Sequence, residues 1–146
     1  MLTPFIPSPV RGASLGSAIG LHARSLTDLL KQVQRGFHTS TFVGLQALLD
    51  VSQKELAERI GLSEATLHRR FAEGRFKKEE SERLYRLYEL FEKTLGLFEN
   101  RQKARAWLRK PALALGGQAP LDYAGTELGA REALDLIERL EHGVLD

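Results

Sequence analysis

Residues 52–74 read SQKELAERIGLSEATLHRRFAEG, and this pattern predicts two short helices joined by a tight turn. Ser52 is a good N-cap residue, and Glu55 three positions later completes a capping box. Gly61 can adopt the left-handed backbone conformation that ends a helix. Ser63 then caps the second helix. The spacing therefore indicates a helix-turn-helix.

Apolar side chains at helical spacing are expected to hold the two helices together. They are Leu56, Ala57, Ile60, Leu62, Leu67 and Phe71. The small side chain of Ala57 would let the helices approach closely where they cross. The outward face of the second helix then carries short side chains at its start and basic ones further along.

This outward face predicts DNA binding, because a helix-turn-helix places its second helix in the major groove with its N-terminal residues at the base edges. Arg can pair bidentately with guanine, and Glu can accept a hydrogen bond from cytosine. The residues expected nearest the bases are Glu64, Ala65 and Arg69. The residues expected to contact phosphates are Ser63, Thr66, His68 and Arg70. The alternative is a helical pair that only builds a core.

Composition excludes several classes of site. The 146-residue chain has no cysteine, so it can form neither disulfides nor thiolate metal sites, and its four histidines are too scattered to suggest a metal. No apolar run approaches the roughly 20 residues needed to span a bilayer. The N-terminus does not resemble a signal peptide. We find no paired carboxylates, nucleophile–base pair or phosphate loop, so we expect a protein that is not an enzyme and has neither catalytic residues nor a cofactor. We also expect the protein to be cytoplasmic and to make no membrane contact.

Charge is distributed unevenly although the net charge is only +2. Residues 101–110 carry five basic side chains and no acidic one, whereas residues 120–146 carry two basic and seven acidic ones, a net charge of −5. A basic middle and an acidic end suggest two different partners. The alternative is that these charges only solvate helix faces.

The remaining sequence predicts an all-α protein, because no stretch shows strand periodicity. We expect a flexible arm over residues 1–24 and a helix-turn-helix domain over residues 25–78, in which Ser25 and the segment Thr39 to Thr41 cap the preceding helices. Residues 79–99 predict a helix that is apolar on two sides and forms either a dimer seam or an internal core. Residues 100–146 predict a small helical half, with caps at Asn100 and Thr126.

The second half resembles the Xre/MbcA/ParS toxin-binding domain of type II antitoxins, which follows an Xre-like helix-turn-helix. The motifs that carry the resemblance are Ala106-Trp107-Leu108 with Pro111, Leu115-Gly116-Gly117, Pro120-Leu121-Asp122, Thr126 with Gly129, and Gly143-Val144. The resemblance covers roughly residues 40–146, and the loop motif is fairly specific.

The resemblance implies a RES-domain toxin that degrades NAD, or a related ADP-ribosyltransferase, as the partner. It also implies that the C-terminal region covers the toxin's active site and that the helix-turn-helix, usually as a homodimer, binds the operon's own promoter. The candidate toxin-binding residues are Leu115, Gly116, Gly117, Thr126, Glu138, Glu141, His142 and Val144. The alternative function is a stand-alone transcription regulator whose C-terminal half dimerises or senses a ligand.

Overall fold

The computed structural model describes residues 19–143, so Val144 and most of the predicted N-terminal arm lie outside the described residues. The all-α prediction is confirmed: the described chain contains eight α-helices, one short 3-10 helix at Leu113–Leu115 and only two isolated β-bridges. The α-helices are α1 (Leu26–Arg35), α2 (Thr39–Leu49), α3 (Gln53–Arg59), α4 (Glu64–Glu73), α5 (Lys78–Phe98), α6 (Arg101–Arg109), α7 (Pro120–Tyr123) and α8 (Glu127–Glu141).

Most predicted helix starts are confirmed by the capping geometry. The side chains that accept a hydrogen bond from the backbone N–H three residues later are Ser25, Ser52, Ser63, Asn100 and Thr126. Helix α2 differs from the prediction. Its N-cap is His38, whose ring Nδ1 accepts from the backbone N–H of Ser40 at 3.1 Å, so the predicted cap segment lies inside the helix.

The chain divides into two compact units after Glu82, inside α5. The first unit is built around Phe42, whose ring stacks on Phe76 and meets Phe71 edge-on, with both centroid separations 5.6 Å. Aromatic pairs in these two arrangements are favourable. They connect α2 directly to the end of α4.

Backbone hydrogen bonds tie the α1–α2 junction to the α4–α5 junction. The N–H of Phe76 donates to the carbonyl of Phe37 at 2.9 Å, and the N–H of Phe37 donates to Ser81 Oγ at 2.7 Å. The N–H of Thr39 donates to the carbonyl of Gly74 at 3.1 Å. Helices α1 and α2 thus supply the floor that a helix-turn-helix needs.

The described end of the predicted arm is part of this unit. Ile19 and Leu21 are buried, and a side chain added at Gly20 would approach Thr41 Oγ1. Because two of its apolar side chains are buried, this segment packs against the rest of the first unit. The prediction of a flexible arm that extends to Arg24 is therefore wrong from Ile19 onward.

The second unit contains the rest of α5 together with α6, α7 and α8. Its buried apolar side chains include Leu87, Leu90, Phe91, Ala104, Leu108, Leu121, Ala133 and Ile137. Tyr88 and Leu90, two positions apart and therefore on nearly opposite sides of α5, are both buried, as the two-sided pattern predicted. Between Ile19 and Gly143, no helix is both long and apolar enough to cross a membrane.

Candidate functional sites

The turn between α3 and α4 has a defined hydrogen-bond pattern. The N–H of Gly61 donates to the carbonyl of Glu58 at 3.1 Å, and the N–H of Leu62 donates to the carbonyl of Ala57 at 2.9 Å. Gly61 has φ +75°, so these bonds form a Schellman motif. The buried side chain of Leu62 anchors the turn. The two helices are therefore joined as the sequence predicted.

The outward face of α4 carries most of the predicted DNA-contacting residues. The exposed side chains among them are Ser63, Glu64, Ala65, His68 and Arg69. Thr66 is half-buried, and its hydroxyl oxygen lies 3.0 Å from Ser63 Oγ, so both hydroxyls take part in the cap. The exposed positions share one side of the helix, because they follow the spacing i, i+1, i+4 and i+5.

Arg70 corrects the sequence prediction of a phosphate contact. The residue is buried, at 8% exposure, and its side chain points into the first unit. Its Nε and Nη2 each donate to one carboxylate oxygen of Glu80 at 2.8 Å, in a bidentate pair. We therefore remove Arg70 from the candidate DNA-binding residues and assign it to the attachment of α4 to α5.

Glu80 is fully engaged in this pair. It is 6% exposed, and its Oε1 also accepts the backbone N–H of Lys77 at 2.8 Å. Burial alone would raise the pKa of the Glu80 carboxyl. The hydrogen bonds from Arg70 and Lys77 outweigh this effect, so the pKa lies below its usual value. The hydrogen bond to Glu80 raises the pKa of Arg70. Arg70 lies three residues after Leu67, on the buried side of α4, but no spacing within α4 indicates its partner on the next helix.

The loop before α7 forms a compact turn. The N–H groups of Ala112 and Gly117 donate to the carbonyls of Gln118 and Ala112, at 3.0 and 2.9 Å. Gly116 and Gly117 are exposed and have φ of +67° and +84°, values that glycine adopts readily.

This turn corrects the prediction for Leu115. Leu115 is 1% exposed, so it anchors the loop in the core and cannot be a surface contact. Leu113, which the sequence prediction missed, is 96% exposed on the outside of the same turn. A loop without periodicity gives no signal that distinguishes these two leucines.

A groove of about 540 Å³ lies between the loop and α8. Its lining residues are Gln118, Asp122, Tyr123, Gly125, Thr126, Leu128, Gly129 and Glu132. Leu128, on the first turn of α8, lines this groove and is 67% exposed. The groove thus offers an apolar side chain next to two carboxylates.

Thr126 and Gly129 shape this groove. Thr126 Oγ1 accepts the N–H of Gly129 at 3.0 Å as the N-cap of α8. A Cβ at Gly129 would collide with the carbonyl oxygen of Tyr123, so only glycine permits the close approach of α8 to the preceding helix. Thr126 therefore positions α8 and also lines the groove.

The acidic face of α8 is open to solvent. The predicted toxin contacts Glu138, Glu141 and His142 are all exposed, whereas Val144 lies outside the described residues. Trp107 is half-buried, with its ring 6.1 Å from that of Phe98. Among residues 19–143, no three histidine or carboxylate side chains cluster closely enough to hold a metal ion.

Comparison with known proteins adds two domain matches. The antitoxin Xre-like helix-turn-helix domain matches residues 28–88, and the antitoxin Xre/MbcA/ParS C-terminal toxin-binding domain matches residues 94–143. A protein named Antitoxin Xre from Yersinia enterocolitica is 34% identical over 141 residues, which cover 94% of this chain and 95% of that protein. Another Antitoxin Xre, from Photorhabdus laumondii, is 26% identical over 144 residues, which cover 97% of each chain.

Proposed function

This chain belongs to the Xre antitoxin family, and we propose that it is the antitoxin of a type II toxin–antitoxin pair. Its partner is a RES-type toxin that degrades NAD, as the resemblance in the second half implies. The C-terminal unit blocks this toxin, and the helix-turn-helix represses the operon's own promoter. The role is binding rather than catalysis.

The observation that carries the toxin-binding half is the exposure of Leu113 on a closed turn. The hydrogen bonds from the N–H of Ala112 to the carbonyl of Gln118 and from the N–H of Gly117 to the carbonyl of Ala112 hold the turn, and Leu115 anchors it in the core. The turn is therefore positioned by the fold, yet it presents a large apolar side chain almost wholly to water. Burying such a side chain in a partner contributes about 1.5–3 kcal/mol.

The groove extends this surface. Gln118 closes the turn that carries Leu113 and also lines the groove beside Leu128. The two exposed leucines therefore flank one continuous region of the C-terminal unit. An exposed apolar surface rimmed by polar side chains is typical of a protein interaction site.

Charge supports a basic partner surface. Asp122 and Glu132 line the groove, and Glu138 and Glu141 are exposed further along α8. An enzyme that binds an anionic dinucleotide presents basic groups, and arginine pairs bidentately with carboxylates. The acidic face of α8 thus suits the mouth of such an active site.

The promoter-binding half rests on α4. Glu64, Ala65 and Arg69 are the proposed base contacts, and Ser63, Thr66 and His68 are the proposed phosphate contacts, now without Arg70. We propose that the chain acts as a homodimer in the cytoplasm, where two α4 helices would occupy two half-sites one helical turn apart.

The test is co-expression of the full chain with the product of the neighbouring gene, followed by affinity purification of the complex. We expect the parent chain and the Arg69→Ala variant to capture the toxin equally, and Leu113→Asp to capture it poorly. Ala114, which is exposed on the same turn, provides the matched control Ala114→Asp. If no complex forms while the chain alone still binds its promoter tightly, the stand-alone regulator is the better account.

A further inference from the structure

Helix α1 presents part of its apolar stripe to solvent. At 3.6 residues per turn, four apolar side chains fall within an arc of about 100°, the width of a stripe that normally faces a core. They are Leu26, Leu29, Leu30 and Val33. The C-terminal end of the stripe is covered, since Val33 is 7% exposed, but Leu26 and Leu30 are 70% and 55% exposed. We call Leu26 and Leu30 the leucine pair.

The first turn of α1 is well formed, so the leucine pair lies on a defined helical surface. Ser25 Oγ accepts the backbone N–H of Asp28 at 3.1 Å, and the backbone N–H of Arg24 donates to Asp28 Oδ2 at 3.2 Å. The backbone N–H of Leu29 donates to the carbonyl of Ser25 at 3.0 Å. These bonds cap the helix at its start. The leucine pair, four residues apart, is therefore held on one side of α1.

The positions of α1 that border the stripe are uncharged. They are Thr27, Gln32 and Gln34. The charged residues Asp28, Lys31 and Arg35 project from the opposite side of the helix. A surface for DNA would need basic groups beside the leucine pair, and a surface for a basic active site would need acidic ones. A two-fold contact between identical surfaces needs an uncharged border, because a charged residue near the axis meets its own copy.

We propose that the leucine pair is the contact through which two copies of this chain form the homodimer. The two α1 helices pack antiparallel about a two-fold axis, so that Leu26 of one protomer packs against Leu30 of the partner subunit. The four leucines then form one apolar cluster with a polar, uncharged rim. This inference rests on the proposed function, in which two α4 helices bind one operator.

A second copy fits this surface better than the toxin does. The proposed toxin contact, Leu113, belongs to the second unit, whereas the leucine pair belongs to the first unit. Helix α5 is the sequence-based candidate for a dimer seam, but its apolar residues Leu87, Leu90 and Phe91 are buried within the described chain. The exposed apolar surface of α1 is therefore the better candidate for pairing.

Pairing through α1 would also fix the separation of the two α4 helices. Arg75 Nη1 donates to the carbonyl of Gly36, directly after α1, at 2.6 Å. The N–H of Phe76 donates to the carbonyl of Phe37 at 2.9 Å. These bonds attach the end of α1 to the segment that follows α4, and both helices lie in the first unit. Binding to two half-sites at a set spacing needs a rigid connection of this kind.

The experiment measures the molar mass of the full chain, without DNA, by sedimentation velocity over a series of protein concentrations. The test variant combines Leu26→Glu with Leu30→Glu, since glutamate keeps a high helix propensity. The control variant combines Val43→Glu with Ala47→Glu on α2. These two residues are also apolar, exposed and four positions apart. Both variants add two negative charges.

We expect the parent and the control to be dimers and the test variant to be a folded monomer. The dissociation constant of the dimer should rise about 100-fold or more in the test variant, because each substitution occurs twice in the interface. A chain with Leu26→Lys and Leu30→Lys should be monomeric alone but should form a heterodimer with the glutamate variant, because opposite charges then face each other. If the double variants do not fold by circular dichroism, Leu30→Ala should raise the dissociation constant about 10-fold.

Each other outcome overturns the inference. If the test variant dimerises like the parent, the seam lies elsewhere and the proposed homodimer stands. If the control dissociates equally, or if the glutamate and lysine variants do not associate, the antiparallel α1 contact is wrong. If the test variant stays dimeric but no longer captures the co-expressed toxin, the leucine pair faces the toxin. If the parent is monomeric at every concentration yet captures the toxin, the inference fails while the proposed toxin binding stands.

Discussion

Replacement of Glu80 by Gln tests how α4 is held in place. The Glu80 carboxylate accepts three hydrogen bonds, two from Arg70 and one from the backbone N–H of Lys77, all at 2.8 Å. The amide of Gln places a donor opposite one Arg70 nitrogen and leaves the buried guanidinium with only the half-exposed Glu73, whose Oε1 lies 3.6 Å from Arg70 Nη1, as a countercharge. Removal of one partner of a buried ion pair costs about 3–5 kcal/mol, a large share of the roughly 5–15 kcal/mol that stabilises a typical domain.

The assay is urea unfolding followed by far-UV circular dichroism, with Trp107 fluorescence as a second probe to test whether one transition describes the chain. Glu79→Gln is the matched control, because Glu79 is exposed in the same first turn of α5. Arg70→Met combined with Glu80→Leu should recover most of the lost stability. A cost for Glu80→Gln below about 1 kcal/mol, or equal to that of the control, would refute the reasoning.

The pH dependence gives an independent check on the same pair. The pKa of Glu80 is lower in the folded protein than in the unfolded chain, so its contribution to stability is complete above the unfolded value of about 4.3. The contribution is lost as pH falls through the folded pKa, because both states then carry the protonated group. The stability difference between the parent and Glu80→Gln should therefore shrink in acid. An unchanged difference would contradict the assigned ion pair.

Three further predictions concern the two binding surfaces and their support. Arg69→Ala should reduce promoter affinity while leaving affinity for scrambled DNA nearly unchanged, since a bidentate base contact contributes about 1–3 kcal/mol of discrimination; equal losses on both duplexes would assign Arg69 to phosphates. Gly129→Ala should lower the free energy of unfolding of the second unit by about 1–3 kcal/mol in urea, because its new methyl group collides with the carbonyl of Tyr123. Gly125→Ala is the control, because the methyl group there makes only an ordinary van der Waals contact. Equal unfolding midpoints for the two variants would contradict the required close approach. Leu113→Asp should weaken toxin capture about 10-fold or more at unchanged stability, because Leu113 is exposed. Leu115→Ala should lower the free energy of unfolding by about 2–5 kcal/mol, because Leu115 is buried. If Leu113→Asp destabilised the protein and Leu115→Ala affected only toxin capture, the roles assigned to these leucines would be wrong.

Local signals in the sequence located most helices. A side-chain oxygen three residues before a backbone N–H forms a cap without help from the rest of the fold, so Ser52, Ser63 and Thr126 were identifiable in advance. Gly61 is equally local, since the Schellman bonds involve only neighbouring residues. The all-α class and the family followed from these motifs together with the loop motif of the second half.

The errors came from contacts that sequence spacing does not encode. Arg70 looked like an outward cation until its partner Glu80, ten residues away on the next helix, was placed beside it. Leu115, which was predicted as a toxin contact, is buried, and Leu113, for which no role was predicted, is exposed, because a 3-10 turn has neither the helix nor the strand period. His38 was missed as a cap because the choice between its ring nitrogen and the nearby threonine hydroxyls depends on the path of the backbone.

The most direct test of the antitoxin assignment is the rate of NAD consumption by the neighbouring gene's product as the full chain is added in increasing amounts. The account predicts that consumption stops near a fixed stoichiometric ratio. Leu113→Asp should shift the titration to higher concentration, and Arg69→Ala should leave it unchanged. NAD consumption that continues unchanged at saturating concentrations of the parent chain would contradict the proposed function.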